Sequence, residues 1–449
     1  VNKLMAYNST SNSPFEYASK LGHLDVVESE WVKSLIKDFE SNSYELSQSE
    51  KEGWNEAELE AVSSLRQFWA VDGSYVTVSS NATPAREVAF VKAGLISIEQ
   101  SKLDKIDKEH PHPILLKDIL SKSAVHHATV FPLRNIKSSM GSNYNAIRHI
   151  VRDSLKIDQK GAYFETLKWL VYEKWRDQPI VSPNFQCPYC ENKITGLNPD
   201  EDTKICEVCK GVVYLTDIIG FHLDMNEDTA PESVSSAYMM IVEHLMLFTA
   251  IRLLWSHKDK KLVTNTLFIK DGPLTLRGQY SKLVPSIRNF LEFAKSEDRP
   301  IHIIGQEKSG LFVDHLGQIS KELMPMSRGD SIYYSVLTHQ YIRNEVYRTP
   351  DLMNSYGKRT NWGEKIYVKT DPNTCIVLNI PTGHYVNNEN GPNENDLIGL
   401  ERILKTLPEI ISHRYTSALF PIELANGIAS MSSYPSSSIL QRFFEENTK

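Results

Sequence analysis

Three acidic residues and four cysteines are the side chains here whose types and placement point to chemistry. Asp72 and Asp271 each close a short apolar run and are each followed by glycine, in Ala70-Val71-Asp72-Gly73 and Ile269-Lys270-Asp271-Gly272. Taken singly, an Asp-Gly step after an apolar run is an ordinary turn signal. Glu243 is harder to place as scaffold. It lies within Tyr238 to Phe248, a segment apolar on nearly every side of a helix, where an unpaired ionised carboxylate costs several kcal/mol. Arg252 is nine residues away, beyond the reach of a same-face pair, and the adjacent His244 points elsewhere. A divalent metal is therefore the economical cation. Two aspartates at strand ends and a glutamate on a helix packed against the sheet give three hard oxygen donors suited to Mg²⁺ or Mn²⁺. Such ions activate water and stabilise both oxygens of an in-line phosphoryl displacement. Spacing alone leaves the other reading open, in which the aspartates are turns and Glu243 is a core residue with one exposed facet.

The cysteines carry the most specific local signal. Cys187-Pro188-Tyr189-Cys190 and Cys206-Glu207-Val208-Cys209 are two CxxC pairs separated by fifteen residues. Four thiolates at this spacing close a tetrahedral Zn²⁺ shell, and the two tight turns are those of a zinc ribbon. With all four positions filled the metal is structural. Two redox dithiols are the competing reading. Lys193, Lys204 and Lys210 are balanced by Glu191, Asp200, Glu201, Asp202 and Glu207, so a folding staple or a protein contact is as good a role for the ribbon as a DNA contact. Cys375 stands apart.

These residues need elements to position them. The first sixty residues combine helical spacing at Trp31, Leu35 and Phe39 with a polar stretch from Glu40 to Glu58, which reads as a helical arm and a flexible link. Short apolar runs at 68–71, 76–78, 88–98 and 124–133 predict a β meander. Helical spacing follows over 143–176, then the cysteine insert, then a long apolar helix over about 232–256. A strand at 266–270, a helix near 279–296, a strand at 300–304 and a helix near 313–324 alternate, which implies an α/β region after an antiparallel one. Strands at 365–369 and 375–380 and helices near 395–412 and 419–431 complete the pattern. The expected division is an arm at 1–60, a core in two parts at 61–183 and 217–449, and a zinc-ribbon insertion at 184–216.

Composition bounds the function. The 449 residues are 41% hydrophobic and 23% charged, which excludes wholesale disorder, and the formal charge is −7 from 49 basic and 56 acidic residues. Non-specific phosphate attraction cannot then be carried by the surface as a whole. The most apolar stretch, Ala237 to Trp255, is interrupted by Glu243, His244 and Arg252, so no membrane span is expected. The polar N-terminus and the paired cysteines read as cytoplasmic. No GxxxxGK[ST] loop or other mononucleotide cradle is present, which disfavours a phosphatase or nucleotide hydrolase.

The motifs AVDGSY at 70–75, YLTD at 214–217, IVEHLMLFTAIRLL at 241–254, FIKDGPL at 268–274 and IIGQEKSG at 303–310 resemble, in that order, those of NurA-type nucleases. The resemblance runs from about 60 to 435. It implies an α/β fold with an RNase H-like core, in which Asp72, Glu243 and Asp271 hold catalytic Mn²⁺ or Mg²⁺. It further implies a DNA nuclease, often homodimeric, that works with a HerA-like hexameric ATPase in DNA end processing or anti-phage defence. One position departs from the family. Where the family places a histidine after a C-terminal proline, FPIELANGIASMS has Asn426, which can coordinate or hydrogen-bond but cannot act as a base. His413 is nearby in sequence. Lys308, in a glycine-containing turn after an apolar strand, is suited to a phosphate oxygen or to the transition state. Outside the family it reads as a solvated lysine. His110 and His112, and His126 and His127, are poor metal pairs, the first set in a Pro-fixed loop and the second on opposite strand faces. Asn426 and the acidic charge favour a different class of function, a catalytically weak subunit that binds DNA ends or the ATPase.

Overall fold

The computed structural model describes residues 26–40, 53–108, 110, 112, 116, 119, 121, 123–225, 232–323, 331–349, 355–412, 414–415, 417–431 and 435–447. The chain forms two units, Val1–Glu50 and Lys51–Lys449. In the first, α1 (Glu30–Glu40) is amphipathic, and a Lys33–Glu30 ion pair of 2.8 Å supports its exposed side.

The second unit is built on one nine-stranded mixed sheet. Its strands are β1 (Asn55–Glu56), β2 (Gln67–Ser79), β3 (Glu87–Glu99), β4 (Ala124–Arg134), β9 (Thr266–Asp271), β10 (His302–Glu307), β11 (Tyr333–Val336), β12 (Glu364–Lys369) and β13 (Cys375–Ile380). The four short strands between β4 and β9 belong to the cysteine insert: β5 (Phe185–Gln186) with β6 (Lys193–Ile194), and β7 (Thr203–Ile205) with β8 (Val212–Tyr214). The sheet order is β1-β11-β12-β13-β10-β9-β2-β3-β4. β2, β3 and β4 form the expected antiparallel meander, and β9 then runs parallel to β2, and β10 parallel to β9. Three antiparallel strands followed by two parallel ones on the side of the first strand is the RNase H-like arrangement. β13, β12 and β11 extend it antiparallel.

Helices cover both faces. One carries α2 (Asn143–Ile157), α3 (Ala162–Val171), α4 (Ser233–Trp255) and α5 (Val284–Ser296), packed in one hydrophobic cluster with Val71, Phe268 and Ile303 of the sheet. After α6 (Leu311–Leu323), the other face carries α7 (Leu400–Ile410) and α8 (Phe420–Ala429), packed on Phe68, Ala70, Leu267, Ile269 and Ile304. α9 (Ser436–Asn447) closes the described chain. α4 is long and apolar enough to cross a membrane, but 72% of its apolar window is buried inside the protein. An all-round apolar helix of this kind is a core helix.

The structure departs from the sequence expectations in four places. β2 does not end at Asp72 but continues to Ser79, because β3 pairs with it along its whole length, whereas β9 pairs only as far as Val71. The helix expected over 143–176 is two helices, broken where Gln159 and Lys160 adopt left-handed φ values of 49° and 57°. Of the link read between Glu40 and Glu58, residues 41–52 lie outside the described residues, and Asn55–Glu56 is the edge strand of the sheet, paired with Tyr334 and Tyr333. β11 and α9 were not expected.

Candidate active site

Strand alternation decides where each acid points. Phe68 and Ala70 face α8 and Val71 faces α4, so Asp72 projects on the α8 side and Gly73 on the α4 side. α4 passes tightly over Gly73: a Cβ there would lie 2.7 Å from both Glu243 Oε1 and Met239 Cγ, so only glycine lets the glutamate approach. The Gly73 N–H donates to Asp72 Oδ1 at 2.7 Å. On β9, Leu267 and Ile269 face α8, so Lys270 points to α4 and Asp271 away from it. The Lys270 ammonium lies 2.7 Å from Glu243 Oε2 and donates to the Asp271 carbonyl at 2.6 Å, and Lys308 Nζ donates to Asp271 Oδ2 at 3.0 Å.

The three sequence-identified acids thus share one end of the sheet, where the parallel pairing of β2 and β9 runs out, but reach it from both faces. They are not gathered into a compact ligand cluster, and two of them engage lysines instead; among the described residues it is the cysteines that form such a cluster. Lys270 is thus a cation at Glu243 that the sequence argument did not consider. The signal was a lysine inside the apolar strand Leu267-Phe268-Ile269-Lys270, since a buried lysine needs a carboxylate as much as the reverse.

Charge is crowded here. Asp72 is pushed up to about 7, first by burial, then by Asp271 and Glu243, with Lys308 and the Gly73 N–H opposing. Glu243 is raised by burial, against the opposing pull of Lys270. Three carboxylates facing two ammonium groups leave one negative charge uncompensated, and hard oxygens in that state fit a divalent cation such as Mg²⁺ or Mn²⁺.

All of these residues line one open cleft of about 1150 Å³. Beside them lies a second carboxylate–lysine pair that the sequence did not single out. Lys365 on β12 reaches across β13 to Glu307 on β10, and Asn379 on β13 donates to the same Glu307 oxygen at 2.8 Å. Burial draws the Lys365 ammonium downward, and Glu307 opposes this. On another part of the cleft the Tyr280 hydroxyl donates to Asp224 at 2.5 Å. Asn426 is exposed on α8, and His413 lies outside the described residues. His110, His112 and His126 are exposed, while His127 is buried between Asp158 at 2.6 Å and the Tyr238 hydroxyl at 2.9 Å.

The four cysteines meet as the spacing predicts. Cys187 and Cys209 sulfurs are 3.6 Å apart, Cys190 and Cys206 sulfurs 3.7 Å, and all four lie within 4.8 Å of one another. A tetrahedral shell with Zn–S of about 2.3 Å has S···S edges of about 3.8 Å, so the cage fits that metal. The short contacts run between the two CxxC turns, which does not suit two separate dithiols. Lys204 and Lys210 bond back to Thr195 and Glu207 within the insert. The insert is seated on α2 through Arg148, which donates to the Val212 carbonyl at 3.2 Å and pairs at 2.7 Å with buried Asp217 just beyond the insert, and through the Tyr144 hydroxyl, which donates to the Pro188 carbonyl at 2.6 Å. Phe185, Cys187, Ile194, Cys206 and Val213 belong to the same hydrophobic cluster as α4.

No protein-family model and no curated protein matches the chain. Among solved structures the chain is similar to the crystal structure of the NurA nuclease from Sulfolobus solfataricus, with 10% sequence identity and a TM-score of 0.36 over 96% of this chain and 97% of that one.

Proposed function

We propose that this chain is a divalent-metal-dependent DNA nuclease that hydrolyses phosphodiester bonds. The observation that carries the reading is that Asp72, Glu243 and Asp271 line one open cleft at the β2–β9 sheet end, together with Lys270 and Lys308. These three carboxylates are the residues that would hold Mn²⁺ or Mg²⁺, which when bound supplies an activated water and charge stabilisation at the phosphate. Lys270 fixes one Glu243 oxygen and leaves Oε1 turned toward Gly73. Lys308 is placed to exchange its bond to Asp271 for a phosphate oxygen. No histidine takes the general-base role at Asn426. The sequence resemblance supports DNA as the polymer, a homodimer, a HerA-like hexameric ATPase as partner, a role in end processing or anti-phage defence and a cytoplasmic location; Zn²⁺ in the cysteine cage is structural.

The test is cleavage of single- and double-stranded DNA with Mn²⁺, and in EDTA with and without Mn²⁺ restored. The parent cleaves only with the metal, and Asp72→Ala, Glu243→Ala and Asp271→Ala each abolish cleavage without additive losses, because the three act as one unit. The alternative, a catalytically weak assembly subunit, draws on Asn426 and on the engagement of Glu243 by Lys270. It replaces the nuclease reading if Asp72→Ala cleaves like the parent, or if the parent is inert with Mn²⁺ and the ATPase together.

A further inference from the structure

We propose that Tyr347 is a base-stacking platform through which the cleft selects an unpaired nucleic-acid strand over a duplex. The inference rests on the nuclease reading and narrows its substrate class. Tyr347 follows the helical turn Ile342–Val346, lines the same cleft as Asp72 and Asp271, and keeps 39% of its surface exposed. Its ring is braced by Phe312, edge-on at 5.9 Å, and by Tyr356 at 6.0 Å. Phe312 is itself held, because Lys365 Nζ stands 4.6 Å from its ring centroid and Lys365 is paired with Glu307. An exposed ring fixed by such neighbours loses little freedom when a ligand stacks on it.

The platform is tied closely to the carboxylates. Phe312 follows Lys308 by four residues, and Lys308 bonds Asp271. Four residues span at most roughly 14 Å, so Tyr347 lies within a few nucleotides of the acids. Every base has a π-face, and stacking on tyrosine is tolerant of sequence. In a duplex those faces are covered by neighbouring base pairs, and exposing one requires unstacking. Arg277 lines the same cleft and supplies a cation for the backbone of the strand.

The experiment is fluorescence anisotropy without added Mn²⁺ or Mg²⁺, using an oligo-dT strand, an abasic strand of equal length and a blunt duplex. The parent binds oligo-dT roughly tenfold more tightly than the abasic strand, and more tightly than the duplex. Tyr347→Ala removes the preference for oligo-dT over the abasic strand while leaving abasic binding unchanged, and Tyr347→Trp retains it. Equal loss on oligo-dT and abasic strands in Tyr347→Ala, or parent binding to the duplex as tight as to oligo-dT, overturns the stacking role while leaving the nuclease reading in place. A parent that binds none of the three probes and cleaves no DNA with Mn²⁺ overturns both.

Discussion

Asp72 is buried beside Asp271 and Glu243, and that makes its effect on stability depend on pH. Its carboxyl titrates near 7 in the folded protein against 3.8 for an ordinary aspartate. Below about 4 both folded and unfolded chains carry the proton, and nothing is lost. Between about 4 and 7 the unfolded chain releases its proton while the folded one retains it, so stability falls as pH rises, and the loss is complete above 7. The size is on the order of a few kcal/mol. Asp72→Asn removes this penalty, so the variant should melt higher than the parent at pH 8 and level with it at pH 4, measured without divalent metal. Mn²⁺ at pH 8 should raise the melting point of the parent and leave that of the variant unmoved. A melting difference that is the same at both pH values would refute the crowding argument. Asp72, Glu243 and Asp271 stood out in the sequence because each interrupts an apolar context, but their spacing left the turn-and-core reading open until the family resemblance grouped them. Lys270 was partly legible. Glu307 and Lys365 were not, since they lie 58 residues apart and meet only once the sheet sets β12, β13 and β10 side by side, with Lys365 reaching across β13.

At the level of elements, the cysteine cage and α4, the helix that carries Glu243, share one packing unit. Cys187 and Cys206 are buried in the cluster that holds Tyr238, Ile241 and Val242 of α4, and Arg148 and Tyr144 of α2 donate to the Val212 and Pro188 carbonyls of the insert. From the sequence, replacing one ligand cysteine with serine is expected to destabilise the ribbon locally and spare the core, because a CxxC pattern shows the ligands but not the surface they rest on. The shared cluster changes the expectation. Elemental analysis should find one Zn²⁺ per chain, and Cys206→Ser should lose that metal and lower the melting temperature of the whole second unit in a single transition. Two separate transitions, with the upper one at the parent temperature, would show that the insert folds by itself. The strand and helix pattern was legible wherever apolar periodicity was strong, as in β3, β4 and α4. It failed where pairing set the boundary: β2 reads as two strands because Asp72-Gly73 is a turn signal, yet thirteen residues of β3 opposite keep it extended.

The whole molecule carries a formal charge of −7 from 49 basic and 56 acidic residues, which bears on how a DNA-cutting chain would hold its substrate. Counterion release by scattered surface lysines supplies most non-specific DNA affinity, and an acidic surface forgoes it. The cations in the cleft are largely committed, with Lys270 to Glu243, Lys308 to Asp271 and Lys365 to Glu307. A lone chain should therefore hold DNA weakly and gain from a second subunit and from a motor that feeds the strand to it. The expectation is a homodimer that co-elutes with a hexameric HerA-like ATPase. Cleavage at physiological salt should rise at least tenfold when the ATPase and ATP are present, and by less at low salt, where weak attraction suffices. Light scattering of the chain alone and of the mixture measures the first part, and cleavage rates across a salt series measure the second. A strict monomer that never co-elutes, and whose cleavage is indifferent to both the ATPase and the salt concentration, would mean that the cleft retains DNA unaided.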